Sequence, residues 1–593
     1  MAARGISGNK IAVMPKGATN ARGKGGAADS RASGGKHATQ GARKTTGTRR
    51  IKAVDPIQAE VMARYLLATS EEMAATLMRT AFSPNIKERG DCSTAIFDRH
   101  GEITALAHRI PMHLGSMVGA VAEILKRYGP GEIRPGDMFM ANDPYNGGGT
   151  HLPDINLIAP VFADGKIVAF VANIAHHADV GGMVPGSEAA VCTSIFQEGI
   201  RIPPVRIMIG GKINRDVFDL VLLNSRTPEE RIGDLQAQFA ANVVGTRSVQ
   251  ALFKRYGVAN TESTIAAYMD FTERRFAAAI RRLPPGVYVA EDCIDGDTEG
   301  TLAKIRVSLT VGHGRLVFDF TGTDRQIKSS RNIPSRAVLA TIYTVAQSLL
   351  DPSVPANAGY YRTIEARGPS GTVVDPVAPA AIGCRSVSCA VLGDVIASVL
   401  TQALPDKALA GSGPHHLFIF SGTDPRSGAY FVDYETMAGG MGARSNRDGM
   451  DAVRVHASGA SNLPIEALEH TYPLRIERYA LWEDSAGSGK YRGGMGVMRD
   501  YRMLGDDIVV SLSSERQHVA AAGIAGGNAG AKGQFIFNPG HPDERRLPSA
   551  AADIALPRGS VLRICTPAGG GYGPAAERDA SAIERDVREK RTT

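Results

Sequence analysis

Two apolar runs joined by one tight turn impose the strongest constraint on this chain. "DINLIAPVF" and "KIVAFVANIA" flank Ala163-Asp164-Gly165. Asp-Gly between such runs favours the two-residue hairpin turn, whose central residues both take positive φ. With Asp164 and Gly165 at its centre, paired residue numbers sum to about 329. Asp154 then faces residue 175 or 176, and His151 lies on the lead-in at the same end. His151, Asp154 and His176 therefore converge at the open end, although the outer two are 25 residues apart. His177 turns to the other side if the strand continues, because successive side chains alternate. Two imidazoles and one carboxylate suit a borderline divalent ion such as Zn, Mn or Fe. Three protein ligands also leave positions for water or substrate. Histidines that are merely solvated or locally hydrogen-bonded at strand ends fit the same spacing, and geometry alone leaves both readings open. Gly147-Gly148-Gly149, just before, lets backbone or substrate approach closely.

The charge of the chain is unevenly placed. Residues 1–52 carry 12 Lys/Arg against the single acid Asp29, whereas residues 53–593 carry 55 basic and 59 acidic side chains. The body is thus slightly acidic and gives no electrostatic case for nucleic acid. The basic stretch has almost nothing to bury and reads as a disordered, dispensable extension, with Met14 as one alternative start. No window approaches the roughly 18 uninterrupted apolar residues of a membrane span, and the N-terminus lacks a secretory apolar core. Neither a membrane nor nucleic acid is an expected partner, and the cytoplasm is the expected location. Six scattered cysteines without a CxxC pair point to buried reduced thiols rather than a disulfide framework or structural zinc.

Elsewhere the pattern predicts a long helix from Asp55 to Ser83, with Asp55 as cap and Pro56 in its first turn. "STAIFDRHGEITALA" reads as a hairpin around His100-Gly101, and "SMVGAVAEILKRYG" as a helix. Two long helices precede Pro284-Pro285-Gly286. From Val287 short alternating strands take over, broken by a helical region around Arg336 to Leu350 and then a Pro/Gly/Ala-rich connection. The expectation is a mixed α+β fold, with a helix-richer N-terminal half carrying the metal hairpin and a β-rich C-terminal half. The expected regions are a basic tail at 1–52, a metal-site region at 53–285, a middle α/β region at 286–405, a β-rich region at 406–575 and a charged tail at 576–593. With no fixed-period repeat, a solenoid or propeller is not expected.

Several longer motifs occur in order along the body: "ERGDCSTAIFD", "HRIPMHLGSM", "NDPYNGGGTHLPDI", "HHADVGG", "FQEGIRIPP" and "DLQAQFAAN", then "FDFTGT", "GGMGARSNRDGMDAV", "NLPIEALEHTYPLRIERYAL", "DSAGSGKYRGGMGV" and "TPAGGGYG". Through them the chain resembles the hydantoinase B/5-oxoprolinase family from about Asp55 to Pro574. The resemblance implies a B-type subunit of an ATP-dependent cyclic amidase, acting on a hydantoin, 5-oxoproline or a related lactam. A partner A-type subunit, ATP-binding and hydantoinase A-like, would use ATP and Mg to phosphorylate the substrate's carbonyl oxygen. The B-type subunit would then complete the reaction at one divalent ion, Mn or Zn. The same family includes a large subunit of acetone and acetophenone carboxylases, so the alternative is the metal-bearing subunit of a ketone carboxylase. In that branch a Mn-type site uses His-x-x-Asp and a downstream His, which match His151, Asp154 and His176.

The remaining sequence agrees with this division. No G-x-x-x-x-G-K-[ST] loop is present, since "AGSGKYRGG" lacks the first Gly and the Ser/Thr. None of the 14 histidines forms HxH, which counts against the ATP-independent barrel hydantoinases. Asp91 and His113 lie in matching motifs and are the acid/base candidates; a salt bridge for Asp91 and a core role for His113 are the alternatives. Asn142, Asp143, His177 and Asp179 are candidates for contacts to substrate or to the ligands, with turn capping as the competing role for Asn142, Asp143 and Asp179. Arg444, Asn462 and Glu466 are expected to knit strands together. "VHASGASNLPIE" departs from the usual family run, which reads closer to "HMTNTRNTPIE", so that loop says little about substrate.

Overall fold

A computed structural model of the protein describes residues 54–107, 109–129 and 131–591. The expected disordered tail at 1–52 lies outside the described residues. The chain is a mixed α+β protein. Its N-terminal helices are α1 (Pro56–Thr80), α2 (Pro84–Lys87), α3 (His113–Arg127), α4 (Arg215–Leu223), α5 (Pro228–Tyr256) and α6 (Val258–Ile280). Asp55 caps α1 as expected, its carboxylate accepting from Ile57 N at 3.0 Å, with Pro56 opening the helix.

Seven antiparallel strands form the first sheet: β1 (Cys92–Asp98), β2 (Ile103–Leu106), β3 (Met138–Ala141), β4 (Asp154–Ala163), β5 (Lys166–His176), β6 (Val205–Ile209) and β7 (Lys212–Ile213), in the order β2-β1-β5-β4-β3-β6-β7. The central strands are buried on both faces. Phe97, Ile158, Phe170 and Ile174 pack toward α3, whereas Ile96, Leu157, Val161 and Val171 pack under α1 and α5. This explains why β4 and β5 read as continuous apolar runs rather than as alternation.

The hairpin turn has φ of 49° at Asp164 and 72° at Gly165, the positive pair that this turn requires. Pairing starts as Ala163↔Lys166 and Phe162↔Ile167, then slips at an irregularity to Val161↔Ala169. The extra residue, Val168, decides between the two registers left open by the turn. Asp154 faces His176.

A second sheet holds β8 (Gly286–Asp295), β9 (Leu302–Gly312), β10 (Arg315–Asp319) and β11 (Ile364–Arg367) in the order β11-β10-β9-β8, with α7 (Ser335–Leu350) and the single turn α8 (Ala358–Tyr361) between β10 and β11 along the chain. One element differs from the sequence reading. Part of the stretch expected to be a Pro/Gly/Ala-rich connection is a helix, α9 (Arg385–Thr401). It is buried on nearly every side, between α7 and the second sheet, and so carries no amphipathic stripe to detect.

The C-terminal part is a pair of antiparallel sheets. One contains β12 (His416–Thr423), β13 (Tyr430–Met437), β16 (Ile508–Ser513) and β19 (Ala550–Leu556); the other contains β14 (Leu474–Leu481), β15 (Val497–Met503), β17 (Gln534–Phe537), β18 (Arg545–Leu547) and β20 (Val561–Cys565). Phe418, Phe420, Leu512, Tyr501, Phe535 and Leu562 fill the space between them. The outer face of β12 and β13, with Leu417, Ile419 and Tyr434, packs on Ala178, Cys384 and Val387. The two halves of the chain thus meet at the open end of the β4–β5 hairpin. All six cysteines are free, and no described helix is long and apolar enough to cross a membrane.

The glycine run before β4 serves backbone packing. A Cβ on Gly149 would lie 1.9 Å from Asn142 O, and one on Gly148, at φ 82°, would lie 2.1 Å from the Gly119 backbone. Gly149→Ala is expected to cost about 2–3 kcal/mol in a denaturant titration, with an unchanged slope. A loss below a few tenths would show that this close approach is not a constraint.

Candidate metal centre

Asp154 begins β4 and His176 ends β5, directly opposite one another, while His151 projects from the lead-in three residues earlier. One ligand atom of each lies within 4.8 Å of the others, and all three side chains are buried. His151 Nε2 is 2.9 Å from Asp154 Oδ2. On the other edge of the ring, His151 Nδ1 is 3.1 Å from Gly383 O, which only accepts, so Nδ1 carries the proton. His151 Nε2 and Asp154 Oδ1 are left buried without a hydrogen-bond partner. Orphaned buried polar atoms are costly unless another group completes them, and this N, N, O donor set suits a borderline divalent cation.

A fourth buried side chain, a carboxylate that the sequence reading missed, joins them. Glu188 Oε1 lies 2.8 Å from His151 Nδ1 and 2.9 Å from His176 Nε2. Burial pushes the Glu188 carboxyl up, but the two imidazoles outweigh it and hold the group down at about 2. Burial and the Arg385 guanidinium push His151 down, and Asp154 and Glu188 together overcome them, raising it to about 9. The site therefore carries enough negative charge to hold a proton where a cation would sit.

Asp91 and His113, the acid/base candidates, reach the same cavity. Asp91 precedes β1, and its carbonyl accepts from His176 N at 3.0 Å. Its Oδ1 is 3.5 Å from His113 Nε2, which is also 3.3 Å from Asp154 Oδ1, while His113 Nδ1 meets Ser93 Oγ at 3.1 Å. Asp91 does not pair with Arg89, whose guanidinium goes to Asn85 and to Tyr434 O.

The remaining candidates separate by location. Asn142 donates to Leu152 O at 2.7 Å and to Ile200 O at 3.0 Å, fixing the backbone beside His151. Asp143 caps the Tyr145–Asn146 turn and receives Arg201 Nε at 2.5 Å. Asp179 accepts from Gly181 N, Gly186 N and Arg226, and so shapes the loop that delivers Glu188. His177 stands outside the group. Strand alternation turns it to the opposite face, where Nε2 meets Gln238 Oε1 at 3.0 Å and burial pushes its pKa down to about 4. Arg444, Asn462 and Glu466 do not line the cavity; Asn462 donates to Tyr479 Oη at 2.7 Å.

Three further residues come from afar. Arg385, the first residue of α9, donates from Nη2 to Asp154 Oδ2 at 2.5 Å and from Nε to Thr150 Oγ1 at 3.0 Å. Asn85 of α2 holds His176 at both Nδ1 and its carbonyl, at 3.1 and 2.9 Å. The Tyr434 ring of β13 lies 4.2 Å from that of His176. Behind them, Glu198 Oε1 accepts from Ile382 N at 2.8 Å and Gly383 N at 2.7 Å, so it fixes the turn whose carbonyl orients His151. Burial pushes the Glu198 carboxyl up to about 8. The free space enclosed is about 30 Å³, room for water or an ion. Ser458 and Ala460, from the loop that departs from the family run, border it.

Comparison with known proteins follows the same lines. The B-type chain of a putative D-/L-hydantoinase from Pseudomonas sp. is 31% identical over 90% of this chain and 93% of its own length. The crystal structure of ATP-dependent caprolactamase from Pseudomonas jessenii superposes with a TM-score of 0.84 at 28% identity, covering 91% of this chain and 95% of that one. Acetone carboxylase in its nucleotide-free structure shares the fold, with a TM-score of 0.84 at 19% identity over 91% of this chain and 78% of that one. The Hydantoinase B/oxoprolinase model matches residues 55–575, and the chain is a member of that family.

Proposed function

We propose that the protein is the B-type subunit of an ATP-dependent cyclic amidase that hydrolyses a hydantoin, 5-oxoproline or related lactam. The observation that carries this reading is the convergence of His151, Asp154 and His176 with Asp91 and His113 in one buried cavity. Relatives named as the B-type chain of a hydantoinase and the β chain of a caprolactamase support both the reaction class and the need for a partner. Five-membered lactams are unstrained and resonance-stabilised, so water attacks them slowly. Phosphorylation of the carbonyl oxygen by an A-type subunit, using ATP and Mg, makes the carbon a better electrophile and gives it a leaving group.

His151, Asp154 and His176 would hold one divalent ion, Mn or Zn. Such an ion supplies Lewis acidity and acidifies a water when bound. The chain's own residues supply the rest. Gly383 O keeps the proton of His151 on Nδ1, leaving Nε2 toward the ion. His113 Nε2, between Asp91 and Asp154, is placed to move a proton between the cavity and Asp91. Arg385 neutralises Asp154 so that its carboxylate survives burial.

Elemental analysis of the purified chain is expected to give one divalent ion per chain. His176→Ala is expected to lower metal affinity by roughly 10–100-fold or more, whereas His177→Ala retains it. Equal metal content in wild type and His176→Ala would refute the ligand assignment.

Co-expression with an A-type partner tests the reaction. ATP hydrolysis is expected to rise with 5-oxoproline, a hydantoin or caprolactam, and to fall by about 10²-fold or more in Asp91→Asn or His113→Ala. Stimulation only by a ketone with bicarbonate would replace the amidase reading by a carboxylase one.

A further inference from the structure

Part of the cavity lining comes from β13 and the segment after it, and there the charge balance is incomplete. Arg454 donates from Nη2 to Thr436 O at 2.5 Å and to Thr436 Oγ1, and from Nη1 to Ser458 Oγ at 3.1 Å. Its Nε is buried with no partner. Arg89, 2% exposed, sends its own Nη2 to the same Thr436 Oγ1. Its other donors go to Asn85 Oδ1, Tyr434 O and Ser461 O. Every one of these acceptors is neutral, and among the described residues neither guanidinium forms an ion pair. Arg385, by contrast, is matched by Asp154. Two like charges thus share one hydroxyl beside the cavity, with the Asp91 and Glu435 carboxylates near enough to attract Arg454 but not paired with it. Burial, then Arg89, pushes the Arg454 guanidinium down to about 9, against the pull of Asp91 and Glu435.

A second group points the same way. His415 is 1% exposed, and its Nε2 is 3.3 Å from Ser386 Oγ while its Nδ1 is buried without a partner. Burial, with Arg454 next, holds it well below the ordinary histidine range, and when Ser386 Oγ donates to Nε2 the ring proton sits on the unpartnered Nδ1. Arg454, His415, Ser386 and Ser458 line the same cavity as the triad. Guanidinium forks with neutral donors around them are the usual surroundings of a phosphoryl group.

We infer that Arg454, His415, Ser386 and Ser458 form a phosphoryl subsite beside the metal triad, which takes the phosphate of an O-phosphorylated carbonyl substrate. The identity of that substrate rests on the amidase reading; the anion site does not.

The test is calorimetric titration of the full chain as purified, with inorganic phosphate and with acetyl phosphate. Saturable binding is expected in the wild type. Arg454→Gln is expected to weaken it at least tenfold, and Arg454→Lys by less. Ser458→Asp, which offers Arg454 a carboxylate, is expected to abolish it without removing the arginine, so a folding defect in one variant does not decide the matter. Tighter binding of acetyl phosphate assigns the subsite to a phosphorylated carbonyl; the reverse order assigns it to released phosphate and overturns the substrate role. No saturable binding in the wild type, or wild-type affinity in Arg454→Gln and Ser458→Asp, overturns the subsite. If phosphate binds as expected but no lactam stimulates ATP hydrolysis with the partner, the subsite stands and the amidase reading falls.

Discussion

The arrangement of the site hangs on one carboxylate. Asp154 is fully buried, and an isolated carboxylate in such a place would take up a proton rather than keep its charge. It stays ionised because burial is outweighed by His151, His113 and Arg385 around it, which hold its pKa well below the usual range. Those three partners belong to the lead-in before β4, to α3 and to α9. Each element must therefore be in place for the others to be tolerated, and the cavity is assembled by folding as a whole rather than by one local motif.

Much of this was legible in the sequence. The Asp164-Gly165 turn fixed the open end of the hairpin to within one residue, and hence brought His151, Asp154 and His176 together. It left the register ambiguous because a bulge has no local signature, and Val168 is an ordinary apolar residue in an apolar run. Alternation along the strand also separated His176 from His177 correctly in direction. It gave no sign that His177 meets Gln238 of α5 rather than the site, since that contact depends on how a helix lies across the sheet.

What stayed hidden has a common physical cause. Arg385 is separated from Asp154 by 231 positions, and Tyr434 from Glu188 by 246. Nothing in a local pattern carries contacts of that span. Helix α9 was missed for a different reason. Periodicity detects a difference between a wet and a dry face, and α9 is dry on nearly every side. Glu188 sits in a Gly- and Ala-rich loop that resembles a linker until Asp179 is seen gathering its backbone. Asp143 shows the opposite lesson: beside the glycine run it suggested chemistry, and it caps a turn.

Helix α9 also ties distant parts of the molecule to one rigid axis. Its first residue meets Asp154, its fourth donates to Glu515 after β16, and Asp394 further along accepts from Ser412 N and Arg516. The hairpin half and the sandwich half are thus pinned to the same rod at successive turns. A fragment of this chain that ended before residue 385 would keep the hairpin and all three histidine and aspartate ligands. It would nonetheless lack Arg385, one of the three groups that keep Asp154 charged. A transplanted hairpin would likewise carry the ligands away from a counter-charge that lies 231 positions further along the chain.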